Sequence, residues 1–132
     1  MTESSDLFQQ LNVELGSYFK RSEFACKCGC GFDTVDTALL QVLEYVRAAV
    51  KSPIIITSGC RCPEHNAKIG GSKGSKHMQG RAADIKCPDV MFDTLKAKVD
   101  HYMEGWGGVG YYQNGGWIHI DTRSGPPARW NG

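Results

Sequence analysis

A chain of 132 residues has room for one domain of ordinary size, and with 41% apolar and 22% charged residues it can build a core, which sets disorder aside. A formal net charge of +1, with its basic residues scattered, excludes a nucleic-acid binder that works through a broad basic face. Any partner must therefore be recognised by a localised site.

The chain opens Met1-Thr2-Glu3-Ser4-Ser5-Asp6, with neither a basic n-region nor an apolar h-region, so no signal peptide is expected. No apolar stretch reaches the roughly 18 residues that suggest a membrane span. Synthesis in the cytoplasm, without membrane insertion, is the expectation. Residues 1–16 are polar with a few apolar positions and read as a loosely attached arm or short helix, leaving 17–132 as a single folded domain.

From Val35 to Val50 the apolar residues Leu39, Leu43, Val46 and Val50 recur at helical steps, and Asp36 or Thr37 can cap the start. Pro53 then opens Ile54-Ile55-Ile56-Thr57, a β-branched run apolar on both faces and hence expected as a buried strand. Pro63 begins a short helix to about Lys68, and the glycine-rich stretch from Gly70 to Gly80 reads as an irregular loop. Ala82–Lys86 is a short strand. Met91, Leu95, Val99, Tyr102 and Met103 mark a second amphipathic helix, stopped at Gly105. Val109–Tyr112 and Trp117–Asp121 flank Gln113-Asn114-Gly115-Gly116, whose Asn-Gly step signals a hairpin. Pro126-Pro127 bars the tail from continuing a strand. The fold class is α+β, a small antiparallel sheet with helices packed on it.

Two segments carry chemistry. In Ser75-Lys76-His77-Met78-Gln79-Gly80-Arg81-Ala82-Ala83-Asp84, a histidine on a glycine-rich loop precedes an aspartate at a strand start by seven positions. The loop lets an imidazole approach a metal while the strand fixes the carboxylate; a surface histidine and a capping aspartate would look the same in isolation. In Trp117-Ile118-His119-Ile120-Asp121, period-two alternation places Trp117, His119 and Asp121 on one face and the isoleucines on the other. Two histidines and one aspartate make a three-ligand site with an open fourth position, the arrangement of catalytic rather than structural zinc. His65 and His101 fall outside both segments and are read as structural.

These segments, together with Ser58-Gly59-Cys60-Arg61-Cys62-Pro63-Glu64-His65-Asn66, resemble the zinc D-alanyl-D-alanine peptidases, of the superfamily shared with hedgehog signalling domains and many phage endolysins. The resemblance runs from about Phe19 to Arg129-Trp130 and rests on an S-x-H-x-x-G-x-A-x-D pattern followed by an H-x-D strand. It implies a hedgehog/DD-peptidase-like fold, one zinc ion held by His77, Asp84 and His119, and Arg61 near the scissile carbonyl or a peptide carboxylate. Ser75 would support the loop or a substrate carbonyl, and Trp117, with Tyr111 and Tyr112, would wall the cleft. Many members carry a Glu or Asp base three residues before the strand histidine, and here that position is Gly116. Asp121 becomes the base candidate; the competing assignment makes Asp121 the ligand and His119 the base, and a third leaves Asp121 to orient a ligand or Arg61.

The implied activity is zinc-dependent hydrolysis of peptide bonds in peptidoglycan stem peptides or cross-links, as a carboxypeptidase or an endopeptidase. A monomer acting on the wall after release fits a phage-type lysin or a cell-wall remodelling enzyme. A non-catalytic zinc-containing module that binds peptidoglycan on the same fold is the alternative. The six cysteines are read first as reduced, partly buried thiols, second as disulfides formed after release, and last as a structural zinc site using part of Cys26, Cys28 and Cys30 with Cys60 or Cys62. Their spacing does not match a C-x-x-C ribbon.

Overall fold

A computed structural model describes residues 18–132, so the arm expected over 1–16 lies outside the described residues. In chain order the elements are a 3₁₀ turn (Arg21–Phe24), α1 (Thr37–Val50), β1 (Ile55–Ser58), α2 (Pro63–Lys68), a 3₁₀ turn (Lys76–Gln79), β2 (Ala82–Lys86), α3 (Phe92–Tyr102), β3 (Gly108–Tyr112), a 3₁₀ turn (Gln113–Gly115), β4 (Trp117–Asp121) and β5 (Ala128–Asn131). This is an α+β fold. Asp36 is the cap of α1, its carboxylate accepting from Leu39 N at 3.2 Å.

The strands form one sheet in the order β1-β2-β4-β3-β5. Every pairing is antiparallel except β3 with β5, which is parallel. Alternation along β2, β3 and β4 sends Ala83, Ile85, Val109, Ile118 and Ile120 to one face, each fully buried. There they pack with Leu39, Leu43 and Val46 of α1 and Leu95 and Val99 of α3 into a continuous core. The helices thus cover one face of the sheet, and the opposite face carries the polar side chains.

The hairpin at Asn114-Gly115 forms as expected: β3 and β4 pair antiparallel through a 3₁₀ turn over Gln113–Gly115, with Gly116 in the left-handed conformation at φ 73°. Two expectations differ from this arrangement. The segment around Ile55 is an edge strand with Ile55 half exposed, because among the described residues β1 pairs on one side only. The tail does return as a strand. Pro126-Pro127 ends the connection from β4, but beyond it Ala128–Asn131 pairs with β3, and Trp130 comes opposite Gly110. A Cβ on Gly110 would sit 2.5 Å from the Trp130 indole, so the absence of a side chain there is what lets β5 lay its ring across the sheet.

Ile120→Ala removes a fully buried side chain from the centre of the sheet. It should lower unfolding stability by about 2–5 kcal/mol, measured by urea denaturation.

Candidate functional site

The polar face of the sheet is organised by register. β2 and β4 pair so that Asp84 stands directly opposite His119, and β3 and β4 so that Gly110 stands opposite His119 and Gly108 opposite Asp121. Directly paired residues share a face, so strand pairing alone brings the Asp84 carboxylate to the His119 ring. His77 arrives from the loop before β2. Ser75 Oγ accepts from His77 N at 3.2 Å and starts the 3₁₀ turn, while Gly80 in the left-handed conformation ends it. Arg61 N donates to His77 O at 2.9 Å, tying that turn to the segment that carries Arg61.

One oxygen is the meeting point. Asp84 Oδ1 lies 3.2 Å from His77 Nε2 and 3.0 Å from His119 Nδ1. Each ring has its other nitrogen engaged: His77 Nδ1 is 2.6 Å from Gly59 O, and His119 Nε2 is 2.7 Å from Asp121 Oδ2. Gly59 O only accepts, so it keeps a proton on His77 Nδ1; His119 lies between two carboxylates, and a metal ion at Asp84 Oδ1 would leave its proton on Nε2, toward Asp121. His77 Nε2 and His119 Nδ1 both face one carboxylate oxygen, and a shared proton or a metal cation is what such a set requires. The three donor atoms lie within 4.8 Å of one another, and tetrahedral zinc with bonds of about 2.0–2.1 Å needs ligand separations of about 3.3 Å. The residues present fit a divalent metal.

The electrostatics agree. Burial alone would raise the Asp84 pKa, but the hydrogen bonds from His119 and His77 outweigh it and bring it down to about 2. Burial disfavours a charge on His119, yet the carboxylates of Asp121 and Asp84 reverse the sign and raise its pKa. The site is prepared for positive charge. Arg61 completes it: Nε donates to Ser58 Oγ at 3.2 Å, Nη1 to Asn66 Oδ1 at 3.1 Å, and Nη2 reaches Asp84 Oδ2 at 3.5 Å.

Asp121 stands apart from the role of base. It is fully buried and does not line the cleft, which has a volume of about 400 Å³ and exposes Arg61, Ser75, His77, Asp84, Trp117 and His119. Arg123 clamps it, with Nε donating to Oδ1 at 2.8 Å and Nη2 to Oδ2 at 2.7 Å. Burial pushes its pKa up, but Arg123 and His119 hold it well below the usual carboxylate range. So fastened, Asp121 meets the nitrogen of His119 that points away from Asp84, the placement of a group that can orient the ring.

Trp117 lines the cleft, stacked on Tyr112 with ring centroids 3.8 Å apart. Tyr111 faces the other way, its hydroxyl donating to Asp100 at 2.5 Å. His101 is in the last turn of α3, and neither it nor His65 lines the cleft. Sequence reasoning misses Arg123, Asn66 and Trp130. Trp130 lies 5.2 Å from the His119 ring, donates from Nε1 to Tyr112 at 3.0 Å and closes one side of the cleft. Gly108 marks the Asp121–Arg123 pair, because a Cβ there would meet Asp121 Oδ2 at 2.5 Å and Arg123 Nε at 2.7 Å.

A family model described as Peptidase M15 matches residues 17–121. Probable peptidoglycan L,D-endopeptidase MepK of Haemophilus influenzae is 36% identical over 63 residues, covering 48% of this chain and 32% of that protein. Peptidoglycan L,D-endopeptidase MepK of Escherichia coli is 32% identical over 104 residues, covering 74% of this chain and 55% of that protein, and the Shigella flexneri protein of the same name matches to the same extent. The chain spans about half or less of the length of these curated relatives.

Asp121→Asn should weaken metal binding at this centre by about 10–100-fold, because the amide no longer fixes the His119 tautomer. Cobalt(II) titration followed by quenching of the cleft tryptophans, Trp117 and Trp130, reads the affinity. Unchanged affinity with an intact fold would remove the orienting role.

Proposed function

The chain belongs to the peptidase M15 family, and on that premise we propose that it is a zinc-dependent hydrolase of peptide bonds in the stem peptides or cross-links of bacterial peptidoglycan. The observation that carries the reading is the convergence of His77 Nε2, Asp84 Oδ1 and His119 Nδ1 on one point at the floor of a cleft. The relatives' names, peptidoglycan L,D-endopeptidase, support an endopeptidase rather than a carboxypeptidase and a peptidoglycan substrate.

Zinc, when bound by these three residues, supplies Lewis acidity toward a carbonyl oxygen and an acidified water. The chain's own groups do the rest. Arg61, braced by Ser58 and Asn66, points its guanidinium into the cleft beside Asp84, where it can offset charge developing on the carbonyl oxygen or hold a peptide carboxylate. Ser75 holds the His77 turn through its hydroxyl. The Tyr112–Trp117 stack and Trp130 give the cleft apolar walls against which a peptide backbone can lie. Asp121, latched by Arg123, keeps the His119 proton on Nε2 and its lone pair on Nδ1.

Purified peptidoglycan digested with the protein and analysed by mass spectrometry tests the proposal. Cross-linked muropeptides should give way to monomers, a chelator should stop the reaction, and zinc should restore it. Retention of the protein on the wall with an unchanged muropeptide profile would replace the hydrolase with a binding module. Release of single terminal residues alone would make it a carboxypeptidase. Arg61→Ala should lower kcat by about 10²–10³-fold while leaving the metal content unchanged.

A further inference from the structure

The six cysteines divide sharply in space. Cys60 and Cys87 are buried, and Cys60 Sγ donates to Phe24 O at 3.1 Å and Phe32 O at 2.8 Å. The other four, Cys26, Cys28, Cys30 and Cys62, bring their Sγ atoms within 4.8 Å of one another. Cys26 Sγ and Cys28 Sγ are 3.4 Å apart, and Cys28 Sγ and Cys62 Sγ 3.6 Å. We propose that these four thiolates form a second, structural zinc site, separate from the His77–Asp84–His119 centre and independent of the peptidase reading.

Three observations support it. The spacings are those of a tetrathiolate: bonds of about 2.3 Å to a tetrahedral zinc set the sulfurs about 3.8 Å apart, whereas a disulfide needs about 2.05 Å. Backbone donors are aimed at sulfur, Cys62 N at Cys26 Sγ and His65 N at Cys62 Sγ, each at 3.4 Å, which favours the charged thiolate. The loop is also built to present its sulfurs inward. It closes through Cys26 N to Phe32 O at 2.7 Å and Gly29 N to Cys26 O at 3.1 Å, with Gly29 at φ 82° and Gly31 at φ 91° making bends that a side chain would resist.

Cys28 and Cys30 are exposed, so they are not there to fill the core. Residues 26–32 contain no helix or strand. A metal shared with Cys62 would fasten this segment to the residue that follows Arg61, and so help hold the guanidinium over the cleft. Soft thiolate ligands select zinc over the hard divalent cations, and binding would release the thiol protons.

The test uses the full chain, purified under reducing conditions, with zinc or cobalt(II) alone as the probe. The wild type should hold two equivalents of zinc, and a His77→Ala, His119→Ala double variant should retain one. Loaded with cobalt, that double variant should show the near-ultraviolet sulfur-to-cobalt charge-transfer band and the intense visible bands of a tetrahedral thiolate site. Cys28→Ser with Cys30→Ser, both at exposed positions, should abolish that band and leave the tryptophan-quenching site filled. Zinc should also protect Cys28 and Cys30 from alkylation until a chelator is added. A double-histidine variant that binds no cobalt, or binds it without the sulfur band, overturns the proposal whether or not the cysteine variant folds. A reduced protein whose mass falls on exposure to air in the presence of zinc, through disulfide formation among these four residues, overturns it too. Absence of wall hydrolysis by the wild type holding both equivalents of zinc would count against the peptidase reading alone.

Discussion

Three lone pairs held face to face are the constraint around which this molecule is arranged. His77 Nε2 and His119 Nδ1 stand 3.2 and 3.0 Å from Asp84 Oδ1, and without a cation such acceptors repel. Keeping them together takes partners behind each: Gly59 O behind His77, Asp121 behind His119, and Arg61 beside the second oxygen of Asp84. It also takes a rigid frame. The residues alternating with Asp84 and His119 are Ala83, Ile85, Ile118 and Ile120, all fully buried beneath the helices. A one-residue slip of β2 against β4 would expose that apolar set and bury the carboxylate and imidazole, so burial of the core locks the register of the site.

The parts of the site that can be read from the chain are those built by local rules. Alternation places His119 and Asp121 on the polar face, and the spacing from Ser75 to Asp84 encodes a cap, a ring, a left-handed glycine and a strand. What alternation cannot say is how two residues on one face share the work. Asp121 reads as exposed to the cleft because it shares a face with His119, but Arg123, two residues on, turns back and seals it. A short-range arginine after H-x-D was available as a signal; its partner was not, since nothing in spacing distinguishes a clamp from a solvent-facing guanidinium. Asn66 gives no signal in the sequence because it braces Arg61 from a helix whose exposed neighbours set no pattern.

β5 is not legible, and the cysteine cluster only as one reading among three, because both depend on contacts between distant parts of the chain. Trp130 finds its place because β3 offers Gly110, and a proline pair earlier in the tail says only where β4 must stop. Cys62 meets Cys26 across 36 positions, a separation no local ligand motif describes. The glycines carry the signal instead. Gly108 and Gly110 in β3 are positions where a side chain would collide with Arg123, Asp121 or Trp130, so a glycine-rich strand here reports what lies across the sheet rather than weakness in it.

Charge then distinguishes this cleft from the rest of a nearly neutral protein. Arg61, Lys76 and Arg123 line it, and Asp84 is the carboxylate among its lining residues. Asp121 offsets Arg123 from behind the wall, where it neutralises the guanidinium without presenting an acceptor to the cleft. With a divalent ion in place the surface seen by a ligand is net positive. That field attracts a peptide bearing free carboxylates, and it stabilises negative charge appearing on a carbonyl oxygen more than it stabilises the neutral amide it came from. The removal of acceptors from the open side, with Asp121 retained only where it steers His119, is consistent with a site whose selectivity lies in charge.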